Sequence, residues 1–293
     1  MLPVRAQLGE CPLWSPSEGR LYWVDIDGRA IHRFDPATAA DEVFDAPGRP
    51  TALALTPQPG RLLVAIERRL AFFEIGAGTW MDWVTLEPDN GGNRLNDGRC
   101  DPVGRFWVGS MFAPTSAGRT TGMLHRVASD GTAVTVRSGI GVANGLAFSP
   151  DGRTMYFADT PRRTVWAYDY ERETGEATNE RIFLDFAALP GKPDGACVDA
   201  DGCYWTACVY GWAVARVTPS GTVDRVISLP VEKPTMPAFG GPDLSTIFIT
   251  SIGGGGGSPD PAQPDAGGLF AVDVGVKGLP EPTFAAAGAV PAP

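Results

Sequence analysis

The hydrophobic and polar positions of this chain alternate between short apolar strands and tight polar turns. Residues 141–159 show the unit: an apolar strand at 146–148, the turn SPDG at 149–152, and a second apolar strand at 155–158. Proline presets φ in such a turn, and aspartate and glycine tolerate the backbone angles of a tight reversal. The pattern therefore predicts β-hairpins.

The same unit recurs along the whole chain. Its apolar strands fall at residues 21–24, 62–66, 106–109, 155–158, 204–207 and 247–250. These strands begin about 41 to 49 residues apart, which is the repeat length of propeller blades. The repeat predicts an all-β fold, a six-bladed β-propeller that forms one domain over residues 1–293. A strand near residues 2–6 is expected to pair with the last blade, because an unclosed ring exposes strand edges.

Four oxygen-bearing side chains occupy one phase of this repeat, about ten residues before the apolar strands. They are Glu10, Asn96, Asn144 and Asp194. Equal phase in a ring of blades means equal height, so we expect the four side chains to converge at one end of the central channel. Carboxylate and amide oxygens suit hard divalent cations such as Ca²⁺, Mg²⁺ or Mn²⁺. The alternative interpretation is that each residue only forms a turn.

The residue types also limit the chemistry. Only two histidines are present, and neither lies at the ligand phase, so a general base is expected to be a carboxylate, with Asp194 the best candidate. Arg94 lies two residues before Asn96, and strand alternation would put both side chains on one side. There Arg94 could donate to substrate oxygens; a surface arginine is the alternative. A bound cation would polarise a carbonyl or phosphoryl group, which predicts hydrolysis.

Composition excludes several classes of partner. The formal net charge is −10, whereas nucleic-acid binding requires a basic surface. No apolar run approaches the ~18 residues of a membrane-spanning helix, and the N-terminus lacks the apolar core of a signal peptide. We expect a cytoplasmic monomer or weak homo-oligomer without membrane or nucleic-acid partners. The five cysteines form no CxxC pair and are expected to be buried, reduced thiols.

Two segments interrupt the repeat. Residues 111–121, MFAPTSAGRTT, are too polar and broken for a regular turn, and they could cover a bound molecule as a lid. Residues 253–268 are rich in glycine but lack the lysine of a phosphate-binding loop. We interpret this second segment as a surface loop.

The chain resembles the gluconolactonase and regucalcin family, which includes luciferin-regenerating enzymes. The resemblance covers essentially the whole chain and rests on five motifs. They are LGECPLW at 8–14, RLNDG at 94–98, NGL at 144–146 with SPDG at 149–152, PDG at 193–195, and FGGPD at 239–243. It implies a six-bladed propeller with one divalent cation, Ca²⁺, Mn²⁺, Mg²⁺, Zn²⁺ or Fe²⁺, in its channel.

The resemblance also implies a role for each candidate residue. Glu10, Asn144 and Asp194 correspond to direct metal ligands, and Asn96 is a further candidate ligand. Arg94 and Asn96 correspond to a substrate-contacting pair, and Asp194 to the catalytic acid/base.

The family hydrolyses sugar lactones. The implied reaction opens a gluconolactone-like or pentonolactone substrate to the aldonic acid, with metal polarisation of the carbonyl and attack by water. Regucalcin-like members have a glutamate-rich lid, whereas residues 111–121 contain no acid and one arginine, Arg119. Such an arginine suits an anionic or strongly hydroxylated substrate. Two alternatives remain: a calcium-binding regulatory propeller without turnover, and a phosphotriester hydrolase on the same scaffold.

Overall fold

The computed structural model describes residues 1–253 and 261–285, which form six antiparallel sheets. Blade one contains β1 (Gly9–Ser15), β2 (Arg20–Asp25), β3 (Ala30–Asp35) and β4 (Ala40–Asp45). Blade two contains β5 (Pro50–Leu55), β6 (Arg61–Ile66), β7 (Arg69–Glu74) and β8 (Thr79–Thr85). Blade three contains β9 (Asn93–Cys100), β10 (Phe106–Phe112), β11 (Gly122–Val127) and β12 (Ala133–Ile140).

The remaining three blades continue in chain order. Blade four contains β13 (Ala143–Phe148), β14 (Thr154–Asp159), β15 (Thr164–Glu171) and β16 (Glu176–Asp185). Blade five contains β17 (Lys192–Val198), β18 (Tyr204–Val209), β19 (Ala213–Val217) and β20 (Val223–Ser228). Blade six contains β21 (Pro234–Gly240), β22 (Thr246–Ser251) and β23 (Phe270–Asp273). Short 3-10 helices occur at Thr115–Ala117, Thr160–Arg162 and Phe186–Ala188. The predicted six-bladed propeller is confirmed.

The apolar strands that revealed the repeat are the second strands of the six blades. These strands, such as β6 and β18, are almost completely buried, because neighbouring sheets cover both of their faces. Burial on both faces explains why they read as continuous apolar runs rather than as alternating ones. The fourth strands, such as β4 and β20, are mostly exposed and carry polar residues.

The N-terminal segment closes the ring at blade six. The backbone N–H of Leu2 donates to the carbonyl of Leu269 at 2.8 Å, and the reverse bond measures 3.0 Å. Leu8 forms a further antiparallel bridge to Ile252. The predicted pairing is confirmed, although it consists of bridges rather than one regular strand. It gives blade six a partner at the edge where the other blades have a fourth strand.

The first strands of the blades, β1, β5, β9, β13, β17 and β21, contact one another in sequence around the ring and surround the channel. A C-terminal segment, residues 278–285, crosses the base of this channel. Its contacts include a bond from the Phe284 N–H to the Leu55 carbonyl at 2.8 Å and an ion pair between Glu281 and Arg99. The base is therefore covered by the chain itself.

The two interruptions have different outcomes. Met111 and Phe112 belong to β10, so the loop at the channel mouth is shorter than expected and begins at residue 113. Of the glycine-rich segment, residues 254–260 lie outside the described residues. Across the described ranges, no helix is long and apolar enough to cross a membrane.

Candidate active site

Every first strand has a β-bulge near the mouth of the channel, where its pairing with the second strand shifts register. A bulge places an extra residue in one strand and re-aims its side chain, which is why bulges often occur beside active sites. The bulges of blades one, three, four and five lie between Glu10 and Leu13, Leu95 and Gly98, Asn144 and Ala147, and Pro193 and Ala196.

The four candidate residues lie at these bulges. Glu10 and Asn144 are the last paired residues before the bulge, whereas Asn96 and Asp194 lie inside it. Asn96, Asn144 and Asp194 are buried, and Glu10 is half-buried. The repeat phase therefore placed all four side chains at the same end of the channel.

A chain of hydrogen bonds joins the polar side chains of blades three, four and five. Arg94 Nη1 donates to Asn96 Oδ1 at 2.6 Å, and Asn96 Nδ2 donates to Asn144 Oδ1 at 2.8 Å. Asn144 Nδ2 donates to Thr160 Oγ1, which donates to the Pro193 carbonyl, both at 2.8 Å. Thr160 thus holds the amide nitrogen of Asn144, whose oxygen accepts from the neutral Asn96 amide and keeps a second lone pair. The oxygen of Asn96 accepts from the charged Arg94.

The carboxylates at the mouth have raised pKa values. Burial, together with the nearby charge of Asp97, raises the pKa of Glu10 to about 8, although the Cys11 N–H and Arg94 oppose this shift. Burial, then the charges of Glu10 and Asp97, raise the pKa of Asp194 well above its ordinary value. Buried carboxylates that repel one another form a site that a cation would stabilise.

Asp97 contributes a third carboxylate that the sequence pattern did not single out. Its Oδ2 accepts the N–H of Leu146 at 2.9 Å, but its buried Oδ1 has no hydrogen-bond partner within the described residues. Burial raises its pKa to about 6, against the effect of the Leu146 N–H and of Arg99. Strand alternation would point Asp97 away from Asn96, and the bulge overrides that rule.

Arg99 lies deeper in the channel. Its Nη2 donates to the Ala196 carbonyl of blade five at 2.6 Å, and its Nη1 pairs with Glu281. Four carboxylates and two guanidinium groups thus lie along the described part of the channel. They are Glu10, Asp97, Asp194 and Glu281, with Arg94 and Arg99. Acidic groups outnumber basic ones in this set, and a bound cation would favour their ionised forms.

The types of oxygen ligand at the mouth also favour a divalent cation. Two carboxylates and an amide oxygen match a hard divalent cation and leave further coordination positions open. The described ranges contain no cluster of three or more His, Cys, Asp or Glu side chains that could hold a metal ion. A cation at this site would depend on the amide oxygen of Asn144, which such a cluster does not include.

Two threonines also support the site and were missed in the sequence. Thr160 holds Asn144, as described above, and Thr235 lies at the bulge of blade six. Thr235 Oγ1 donates to the Gly9 carbonyl at 2.5 Å, next to Glu10. The signal for Thr235 is its place two residues after Lys233, matching Asp194 two residues after Lys192.

The mouth loop of blade three, residues 113–121, is fastened at its end. Asn93 Nδ2 donates to the Thr121 carbonyl at 2.9 Å, and Thr121 Oγ1 donates to Asn93 Oδ1 at 2.6 Å. Arg119 is exposed and stacks over the Phe112 ring, 4.5 Å from its centroid. Arg119, the arginine of the expected lid, therefore packs on Phe112 at the end of β10.

The cysteines are all free and buried, as expected. Cys11, next to Glu10, accepts the Leu53 N–H through its sulfur at 3.1 Å. Burial raises the pKa of its thiol to about 12, so the reactive thiolate is scarce near neutral pH. Cys11 therefore serves packing between blades one and two.

Fold and site together define the class: a six-bladed β-propeller whose channel mouth carries buried carboxylate and amide oxygens beside a buried arginine. The family model described as the SMP-30/Gluconolactonase/LRE-like region matches residues 8–253. The chain belongs to this family.

Named relatives cover nearly the full length of the chain. The pentonolactonase XacC of Haloferax volcanii is 38% identical over 281 residues, 94% of each chain. The 6-deoxy-6-sulfogluconolactonase of Pseudomonas putida is 39% identical over 282 residues, 95% of each chain. Among solved structures, the calcium-binding protein regucalcin of Agrobacterium tumefaciens has a TM-score of 0.90 and 31% identity. That match covers 96% of this chain and 95% of the other.

Proposed function

We propose that this protein is a divalent-cation-dependent lactonase that hydrolyses a sugar lactone to the aldonic acid. Its family and the two lactonases that match it over nearly the full chain support lactone hydrolysis as the reaction class. The single observation that carries the site is the convergence of Glu10, Asn144 and Asp194 at the bulges, where burial and mutual repulsion raise the pKa of both carboxylates.

Glu10, Asn144 and Asp194 would hold the cation, whose chemistry is to polarise a carbonyl and to lower the pKa of bound water. Asn96 is better suited to position its neighbours than to be a direct ligand, because the positive charge of Arg94 lies 2.6 Å from its oxygen, whereas the Asn144 oxygen accepts only from a neutral amide. This assignment keeps the Arg94–Asn96 pair for contact with the substrate.

Arg94 supplies the cationic side of the substrate site. It is buried, and it lacks a carboxylate partner within hydrogen-bond distance among the described residues, since its Nη1 bonds go to the Leu95 carbonyl and Asn96. A buried guanidinium with free N–H groups can bind the lactone's hydroxyl or carbonyl oxygens and fix the ring. Burial lowers its pKa to about 10, so Arg94 remains charged near neutral pH.

Asp194 is the proposed acid/base. Water adds to the lactone carbonyl carbon and gives up a proton, which the Asp194 carboxylate accepts. The bond between the carbonyl carbon and the ring oxygen then breaks, and the proton passes to the departing ring oxygen as a hydroxyl. The products are a carboxylic acid and an alcohol within one open chain, so atoms and protons balance.

The experiment is acid release from a panel of aldonolactones, corrected for spontaneous opening, with and without a chelator. Hydrolysis that a chelator stops and that Mn²⁺, Mg²⁺, Ca²⁺ or Zn²⁺ restores is the expected result. A rate at background with every metal and every lactone would contradict the proposal.

A calcium-binding role without turnover is the second candidate, because the regucalcin structure that matches this chain is described as a calcium-binding protein. The same preparation separates the two. Tight Ca²⁺ binding by calorimetry without hydrolysis of any lactone would favour this second function.

A further inference from the structure

Lysine is scarce in this chain, and its distribution is uneven. Lys192, Lys233 and Lys277 are its three lysines among 24 basic residues. Two of them converge on one aromatic ring: Lys192 Nζ lies 5.7 Å and Lys233 Nζ 5.4 Å from the ring centroid of Tyr210. Apart from Lys277, the remaining basic residues are arginines, so this pairing singles out one point of the surface.

That point lies at the mouth of the channel, beside the candidate site. Lys192 and Lys233 each stand just before the proline that precedes the bulge of their blade, in adjacent blades five and six. Lys192 is two residues from Asp194, a separation of about 7 Å along an extended strand. It pairs with Val209, and Tyr210 follows directly in the loop that corresponds to the lid of blade three.

The loop that carries Tyr210 is held in an unfavourable conformation. Tyr210 and Trp212 have φ values of 64° and 58°, and they are 52% and 42% exposed. Left-handed backbone at two bulky residues persists only where the surroundings enforce it. Here the packing is close, since a Cβ on the intervening Gly211 would lie 2.7 Å from the Pro190 carbonyl. Two large aromatic side chains are thus presented to solvent on a rigid turn.

The charges of the two lysines are only weakly balanced. The ammonium group of Lys233 lies 3.9 Å from the Glu232 carboxylate, near the distance limit of an ion pair. Within the described ranges, Lys192 forms no ion pair. One ammonium over an exposed ring is worth about 0.5–1 kcal/mol, and a second on the same ring adds mutual repulsion. An anion bound near both ammonium groups would offset that repulsion and gain charged hydrogen-bond donors.

We propose that Lys192, Lys233 and Tyr210 form a subsite for a negatively charged group at the end of the sugar lactone remote from the reacting carbonyl. This inference rests on the proposed lactonase function and names its substrate class: aldonolactones with a terminal phosphate, sulfonate or carboxylate. The ammonium groups bind the anion, Tyr210 packs against the carbon chain, and Asp194 lies at the other end near the lactone carbonyl.

The test compares a charged lactone with a neutral one. Kinetics of 6-phosphogluconolactone and glucono-1,5-lactone are measured for the wild type and for Lys192→Met, Lys233→Met and Lys277→Met. Lys277 is the matched control, since it is 65% exposed and paired with Asp243 near the base of the channel. Terminal sulfonate and carboxylate analogues then show which anion is preferred.

The wild type is expected to have a higher kcat/KM for the charged lactone than for the neutral one. Lys192→Met and Lys233→Met should each raise KM for the charged lactone about fivefold, as expected for a partly exposed ion pair. Values for kcat and for the neutral lactone should change less than twofold, and Lys277→Met should match the wild type. Added salt should weaken the preference for the charged lactone in the wild type, and not in a variant that combines Lys192→Met with Lys233→Met.

Equal kcat/KM of the wild type for the two lactones would overturn the subsite. So would an equal loss of kcat/KM for both lactones in Lys192→Met and Lys233→Met. If no lactone of the full panel is hydrolysed with any metal, the lactonase proposal fails, and calorimetry with 6-phosphogluconate decides this inference separately. Binding that weakens in Lys192→Met and Lys233→Met supports the subsite; binding that is absent or indifferent to these lysines overturns it.

Discussion

Blades two and five have the same architecture but different chemistry at the same place. Each first strand has a bulge, which leaves Thr51 outside regular pairing in β5 and leaves Asp194 and Gly195 outside it in β17. The Thr51 hydroxyl donates to the Ala65 carbonyl of its own blade at 3.4 Å. Asp194 instead lies buried beside Glu10, with a raised pKa. The backbone therefore determines where a side chain is presented, and the residue type determines whether it can act as a ligand.

Blade six shows a third use of the same position. Thr235 lies at its bulge and bonds across to the Gly9 carbonyl of blade one. It carries no charge, but it fixes the strand from which Glu10 projects. Blades one, four and five thus supply candidate ligands. Blade six holds the strand of Glu10 through Thr235, and Thr51 of blade two bonds only within its own blade. Substitutions at these positions can test this division.

The largest effect is expected at Asp194. Asp194→Ala should lose bound metal and reduce kcat/KM by three orders of magnitude or more, because a ligand and the proton acceptor disappear together. Metal content by mass spectrometry and lactone kinetics measure both losses. Thr51→Ala is the matched control and should keep both. An Asp194→Ala protein with full metal and full activity would refute the site.

Arg94 should have the next largest effect. Arg94→Ala should lower kcat/KM about ten- to a hundredfold, the range for losing charged hydrogen bonds to a substrate, while metal content stays at the wild-type level. Steady-state kinetics and metal analysis on one preparation provide the comparison. Loss of the metal would show that Arg94 holds the ligands rather than the substrate.

Thr235 tests the supporting role of blade six. Thr235→Val should reduce stability by about 1–2 kcal/mol, since the Gly9 carbonyl loses a buried donor, and should weaken metal binding severalfold through Glu10. Thr51→Val, which removes a long hydrogen bond, should change metal affinity little. Urea unfolding and metal titration distinguish the two variants, and equal metal affinities would contradict the support of Glu10 by Thr235.

The smallest effect is expected at Glu87, a buried carboxylate that accepts a hydrogen bond from Asn93 near the mouth loop of blade three. Burial tends to raise the pKa of Glu87, but hydrogen bonds from His125, Ser110 and Asn93 outweigh it and hold that pKa below its ordinary 4.5. A depressed carboxyl pKa stabilises the fold above the unfolded value, and that contribution is lost as pH falls through the folded value.

Glu87→Gln should therefore lower the free energy of unfolding by about 1 kcal/mol at pH 7. The difference in unfolding free energy between the variant and the wild type should narrow as pH drops below 4.5. Chemical denaturation of both proteins across this pH range measures the difference. A gap that stays constant with pH would show that the carboxylate charge contributes nothing to the fold.

Much of the fold could be predicted from residue pattern alone. The second strands are apolar throughout because they are buried on both faces, so the six copies were visible and their spacing indicated six blades. The fourth strands were not predicted, because solvent covers them and β4 or β20 reads as polar sequence. Their strand form depends on pairing with the third strands, which local composition does not encode.

The repeat phase of the sequence determined that Glu10, Asn96, Asn144 and Asp194 share one end of the channel, because equal spacing in a closed ring means equal height. Only the tertiary structure decided that Arg94 engages the Asn96 oxygen and not that of Asn144, that Asp97 adds a third carboxylate, and that Lys192 and Lys233 meet on one ring. Those features depend on bulges and on contacts between blades far apart in the chain, where side-chain direction departs from strand alternation.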